Sequence, residues 1–223
     1  IFSILSVNEI KRNWIENLLK DRTSIIDAPK EWVNWVQNKK YKILEVPSKK
    51  LIRTKAEQLP SNSSDEKILK VIFDHFNKNK KGAEQFEYFS GKVIELMDYN
   101  VGEIDVTRFT RDGGRDGIGY YDIGNNKSHS LKIDFAIEAK CYKPSNGVGV
   151  KETSRLISRL RHRQFGILIS TSYVSKQAYE EIVDDAHPIL IISGIDLVLI
   201  VKDKIARTPK DLSEYLKKEY PYE

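Results

Sequence analysis

The stretch "RFTRDGGRDGIGYYDIGNNKSHSLKIDFAIEAKCYKP", residues 108–144, decides the fold. Side chains alternate faces along a strand. In "IDFAIEAKCY", Ile133, Phe135, Ile137, Ala139 and Cys141 therefore share one apolar face, which reads as a core wall. Asp134, Ala136, Glu138, Lys140 and Tyr142 share the other, a working or solvated face. Glu138 and Lys140 are then roughly 7 Å apart along the strand, at ~3.4 Å of rise per residue. Upstream, Asp116 stands among glycines in "DGGRDGIG", which permit a tight turn. A hairpin from the strand that follows at Ile118 would bring Asp116 to the end of strand 131–142. An ordinary Glu–Lys pair on a solvated strand is the alternative, and E-x-K alone does not exclude it.

Two carboxylates and an ammonium at one edge have a chemical use. The acids suit a hard divalent cation such as Mg²⁺, with positions left for water and a phosphate oxygen. The lysine can orient or deprotonate an attacking water, or stabilise the charge of a phosphoryl transition state.

"GGRDGIG" followed by "FAIEAKCY" resembles the PD-(D/E)xK nuclease signature. "VGVKETSRLISRL", "QFGILISTSYVSKQAYEEI" and "HPILIISGIDLVLI" follow in the order of the catalytic domain of Mrr-like restriction endonucleases, over roughly residues 83–201. The resemblance implies a restriction-endonuclease-like α/β fold, a central mixed β-sheet flanked by helices. It also implies cleavage of double-stranded DNA with Mg²⁺, for which Mn²⁺ is a possible substitute. On this pattern Asp116 and Glu138 correspond to the metal-binding acids and Lys140 to the catalytic lysine. Many relatives carry Gln at the position of Glu138. The Asp here lacks the preceding Pro. Glu87, in "QFEYFSGKVIELM", resembles an additional acid on the preceding helix, against the alternative of a surface glutamate.

The expected helix 150–163 is rich in basic residues. Lys151, Arg155 and Arg159 recur at i, i+4 and i+8 and form one stripe, opposite Leu156, Ile157 and Leu160. They read as phosphate contacts, with Arg111 and Arg115 beside the Asp116 turn as further ones. A solvated helix face is the alternative. Ser175 in "STSYVSKQA" reads as a helix cap close to the site. Cys141 points to the buried face and reads as core rather than nucleophile.

Outward from this block the chain changes character. Residues 1–81 hold 17 Lys and Arg against 10 Asp and Glu, a net +7, while residues 82–223 are at −2. The order of elements predicts two parts: a basic, mainly helical N-terminal segment over 1–80, connecting or contacting DNA, and a nuclease domain over 81–223. Apolar spacing predicts a helix over 8–20 and another after Pro29, with Trp14, Trp32 and Trp35 reading as core. "PSNSSDEK" is a linker with a capping box from Ser63 to Glu66. Beyond "NKNKKG", the patterning predicts a helix over 83–98 and strands over 104–109, 118–123 and 131–142. After helix 150–163 come strand 165–171, helix 175–186, strand 188–192 and a short helix over 194–201.

Several classes are excluded. One cysteine gives no internal disulfide, and the scattered His75, His129, His162 and His187 give no zinc pattern. No Walker A motif or calcium loop is present. No apolar run approaches the ~18 residues of a membrane span, and no signal peptide is visible, which points to the cytoplasm. The first residue, Ile1, suggests a piece of a longer chain. The way "KAEQLP" leads into the nuclease block is similar to modification-dependent restriction enzymes that recognise 5-methylcytosine through a separate N-terminal domain. Cutting both strands calls for two active sites, hence a homodimer or larger assembly. A repair or junction-resolving nuclease of the same fold, and a non-catalytic DNA-binding module, are the competing readings. The recognition sequence, methylation dependence and cut position are not legible.

Overall fold

A computed structural model describes residues 52–106, 116–124, 130–160 and 164–222. The chain divides into two compact units, Ile1–Lys49 and Lys50–Glu223, and the described residues all belong to the second. The expected helices before residue 50, the "NNKSH" loop, Arg111, Arg115, His129 and residues 161–163 lie outside the described residues.

The sheet has the order β1-β2-β3-β4, with β1 (Gly117–Ile123), β2 (Leu131–Lys140), β3 (Phe165–Ser170) and β4 (Ile189–Ile192). β1 runs antiparallel to β2, and β2, β3 and β4 are mutually parallel, so the sheet is mixed as expected. The segment before β1 adds single bridges, Val101 to Tyr121 and Asp105 to Ile118, where a strand over 104–109 was expected. Two crossover helices, α4 (Val150–Ile157) and α5 (Lys176–Asp184), join the parallel strands. The others are α1 (Lys55–Gln58), α2 (Ser63–Lys78), α3 (Gly82–Met97), α6 (Gly194–Lys204) and α7 (Pro209–Glu219). None is long and apolar enough to cross a membrane among the described residues.

The alternation of β2 produces two cores. Phe135, Ile137 and Ala139 join Ile167 and Ile169 of β3 under α2, α3, α6 and α7. Ala136 and Leu168 point the other way, into a smaller cluster with Leu156 of α4 and Ala178 and Tyr179 of α5. The even face of β2 is thus covered from Ala136 onward, while Lys132 and Asp134 on it are exposed, and Glu138 is fully buried. The physical reason is the pair of crossovers, which lays both helices over that face.

Three further differences have local causes. The second compact unit begins at Lys50 rather than residue 81, because Ile68, Leu69, Ile72 and Phe76 of α2 pack into the larger core. The cap of α2 is Asn62, whose side chain accepts from Asp65 N at 2.9 Å, not Ser63. Helix α4 ends at Ile157. By contrast, Ser175 caps α5 as expected, accepting from the Ala178 amide. Helix α7 had no counterpart in the sequence reading. Its C-terminal tail is tied down where His75 Nε2 meets Tyr220 O at 2.8 Å and Gln85 Nε2 donates to Pro221 O at 2.9 Å.

One buried amide links the first helical turn to the segment after β3. Gln58, with no exposed surface, donates to Val174 O at 3.1 Å and accepts from Val174 N at 2.9 Å. It satisfies two backbone groups that have no water to turn to. Gln58→Leu should therefore lower unfolding stability by about 2–4 kcal/mol, the cost of leaving two buried groups unpaired. Urea unfolding followed by circular dichroism checks this, and a variant within about 0.5 kcal/mol of the parent would show the contact to be dispensable.

Candidate active site

The site lies at the carboxyl end of β2, where open α/β sheets commonly place their ligands. β1 begins at Gly117, opposite Ile137. One residue earlier the main-chain ladder gives way to a side chain. Asp116 N still donates to Ile137 O at 3.2 Å, but Ala139 N is satisfied by Asp116 Oδ2, at 2.7 Å. The turn thus delivers a carboxylate to the end of β2 and fixes it by a charge-assisted bond to the backbone.

Lys140 closes the arrangement. Its Nζ lies 3.2 Å from Asp116 Oδ2 and 2.7 Å from Glu138 Oε1, and donates to Ala139 O at 2.9 Å. The two side chains that start roughly two strand rises apart on β2 converge on one another. Glu138 meets two more cations from the end of α4 and the turn after it. Arg155 Nη2 contacts Oε1, and Arg159 Nη1 lies 3.5 Å from Oε2. A carboxylate with no exposed surface is stable as an anion only when paired in this way. Arg155 and Arg159 are thus turned to an acid inside the domain, where the sequence alone suggested phosphate. Lys151, the first member of the stripe, is exposed.

Glu87 on α3 belongs to the same electrostatic environment. Burial pushes its carboxyl up to about 7, with Asp116 adding to the rise and Lys140 opposing it. Cys141 is partly buried against the larger core, and burial pushes its thiol up to about 12, which removes it as a nucleophile.

A positioning feature was missed in the sequence. Ser170 Oγ donates to Lys140 O at 2.8 Å, Thr171 Oγ1 to Tyr142 O at 2.6 Å and Ser172 Oγ to Asn146 O at 2.5 Å. Three consecutive buried hydroxyls thus hold the chain that leaves Lys140. The run "STS" directly after an apolar strand was the available signal, read only as the approach to a cap.

The donors are all oxygens of carboxylates, which suits a hard divalent ion. The described contacts of Asp116 use Oδ2, leaving Oδ1 for such an ion. Among the described residues, no three His, Cys, Asp or Glu side chains stand together as a ready ligand set. Glu138 is engaged by cations instead. The donor chemistry fits a metal; the side-chain arrangement holds arginine in front of one donor.

Residues 79–201 match the Mrr catalytic domain, a family described as "Restriction endonuclease". The chain belongs to this restriction endonuclease family. Residues 1–47 match a second family, the N-terminal region of the restriction endonuclease AspBHI. Among solved structures, the chain is similar to the DNA modification-dependent restriction endonuclease AspBHI, at 40% identity and a TM-score of 0.70, over 93% of this chain and 52% of that one. It is also similar to MspJI restriction endonuclease in complex with a 27-mer oligonucleotide, at 26% identity and a TM-score of 0.68, over 87% of this chain and 44% of that one. The chain spans about half the length of these relatives. Among curated proteins none matches. The expected restriction-endonuclease-like architecture is therefore the observed one.

The environment of Glu87 has a measurable consequence. Its folded-state pKa of about 7 lies above the usual carboxylate value, so the native state holds the proton more tightly than the unfolded chain. This contribution to stability is full below about pH 4.5 and is lost as pH rises through 7. Glu87→Gln, in EDTA, should match the parent's stability near pH 4.5 and exceed it at pH 8. Urea titrations at the two pH values test this, and a difference that does not grow with pH would place Glu87 in a solvated setting.

Proposed function

We propose that the chain carries the cleavage domain of a metal-dependent, modification-dependent DNA endonuclease that hydrolyses phosphodiester bonds. The observation that carries this reading is the convergence of Asp116, Glu138 and Lys140, with Lys140 Nζ bridging both acids at 3.2 and 2.7 Å. Membership of the restriction endonuclease family supports it, as do the likeness to AspBHI and the match of residues 1–47 to the AspBHI N-terminal region. The likeness to MspJI, solved with an oligonucleotide, supports DNA as the partner, and double-stranded DNA is the substrate proposed for this chain.

Asp116 and Glu138 would hold the divalent ion, Mg²⁺ or in its place Mn²⁺. When bound, the ion supplies Lewis-acid stabilisation of the scissile phosphate's charge and lowers the pKa of a coordinated water. Asp116 is already fixed for this by the Ala139 amide, and its contacts among the described residues use Oδ2. Lys140, held by both acids and by Ala139 O, places its ammonium against the attacking water or the phosphoryl oxygens. Glu87, whose carboxyl burial pushes up to about 7, assists as a third carboxyl. Lys151 and Arg155, with Arg111 and Arg115, provide the cations for the DNA backbone, while Arg159 stays with Glu138. A homodimer or larger assembly supplies the second centre needed to cut both strands. The base modification is read outside the residues that form the site.

The test is incubation of the purified chain with unmodified and cytosine-methylated plasmid, with Mg²⁺ or EDTA. Discrete fragments are expected only with Mg²⁺ and preferentially from the methylated plasmid. Lys140→Ala and Asp116→Asn should each abolish the cutting while retaining the circular dichroism spectrum. The asparagine can still accept from Ala139 N, so this variant separates chemistry from folding. Duplex affinity should fall by ~10³-fold or more between 50 and 200 mM salt if about six phosphates are neutralised. Cutting that persists in Lys140→Ala would remove that residue from the mechanism. Failure of both plasmids to be cut under every metal condition would remove the nuclease reading for this chain.

A further inference from the structure

Glu138 carries more positive charge than one carboxylate requires. Lys140, Arg155 and Arg159 all reach it, and Lys140 also reaches Asp116. Among the described ion pairs of this cluster, three cations meet two carboxylates before any metal arrives. A divalent cation entering beside Asp116 would face the guanidinium of Arg155 directly on the Glu138 oxygen it needs. In a site shielded from water such repulsion is poorly screened.

Arg155 is also the member of the trio best placed to leave. Its side chain is 40% exposed, against 20% for Arg159 and 16% for Lys140. In its present position its Nε is buried with no hydrogen-bond partner. A buried N–H left unpaired is a standing cost of this rotamer. Its residue lies in the last turn of α4, so rotation about the side-chain bonds alone takes the guanidinium off Glu138 without moving the backbone.

We infer that Arg155 is a two-position residue that couples metal binding to DNA binding: in the free protein it occupies Glu138 in place of the metal, and a DNA phosphate draws it away. This rests on the nuclease reading above. The phosphate offers Arg155 a bidentate partner that satisfies more of its donors. Its departure leaves Lys140 as the one described partner of Glu138 Oε1 and removes a positive charge from the metal's approach. Lys140 and Arg159 remain to keep Glu138 ionised. Because such coupling is reciprocal, DNA tightens metal binding by the factor by which metal tightens DNA binding. The centre is then assembled on the substrate, and free protein in a Mg²⁺-containing cell stays incompletely loaded.

The test is Mn²⁺ affinity of the full chain without DNA, read by electron paramagnetic resonance of free Mn²⁺, in the parent and in Arg155→Gln. The variant is expected to bind Mn²⁺ at least tenfold more tightly, while cutting DNA at least tenfold more slowly because the phosphate contact is gone. Unchanged or weaker Mn²⁺ binding in the variant overturns the proposal, since a residue that merely props Glu138 in place would have that effect. If Arg155→Gln loses its circular dichroism spectrum, Arg155→Met, of similar length and without charge, takes its place with the same expected and overturning outcomes. Failure of the nuclease reading looks different: the parent then cuts no DNA at all, whatever the two Mn²⁺ affinities are.

Discussion

The structure depends on keeping one charged carboxylate, Glu138, ionised in the interior of an α/β sandwich. It stands on the second strand of the sheet with no exposed surface, between Ala136, which faces the smaller core, and Lys140. An isolated carboxylate there would cost several kcal/mol even after relaxation. The chain meets that cost with three cations from two elements: Lys140 from the same strand, and Arg155 and Arg159 from α4 and the turn after it. The requirement therefore ties the crossover helix to the sheet electrostatically as well as through Leu156. It also concentrates charge at the end of β2, the place at which a phosphodiester would be handled.

β2 serves two masters because strand side chains alternate. Its odd positions are committed to the larger core, with Phe135, Ile137 and Ala139 nearly inaccessible. This commitment fixes the register of the even positions. A slip of one residue would turn Glu138 and Lys140 into the larger core and expel Phe135 and Ile137. The neighbours add precision at the strand end. Asp116 replaces a main-chain partner for Ala139 N, and the Ser170–Ser172 hydroxyls hold the backbone beyond Lys140. The Asp116, Glu138 and Lys140 side chains are thus held by backbone bonds and core packing together, the arrangement that keeps a site preorganised.

Much of this was legible in residues 108–144, and for a physical reason. Period-two alternation in "IDFAIEAKCY" assigns faces without knowledge of the rest, and a glycine-flanked Asp before a strand can reach only a few places. The trio Asp116, Glu138 and Lys140 follows from those local constraints. What was not legible is long-range. Nothing in β2 says that two crossover helices will cover its even face, so its character as a second core had to await the fold. Arg155 and Arg159 advertise positive charge but not its destination: the same i, i+4 spacing serves a phosphate or a buried acid. The boundary near residue 80 followed a real break in helix, at Asn79–Lys81, but helices flanking a break can pack into one core, as α2 and α3 do. Helix α7 escaped because Leu212 and Leu216 are the chief buried apolar residues in a charged stretch, a weak periodic signal that the core nevertheless uses.

Glu138 and the arginines are best understood as one unit. The family pattern admits glutamine at this position, and a neutral amide would need no compensating charge there. With glutamate the position gains a stronger metal donor but incurs a burial cost that only cations can offset. On the metal-binding reading, those cations would oppose the ion. The more of them stay in place, the weaker a donor the acid becomes. One that can be drawn off by phosphate makes the stronger donor available only when substrate is present. The partly exposed Arg155, with its unpaired Nε, has the properties this compromise requires, whereas the more enclosed Lys140 and Arg159 have those of permanent partners.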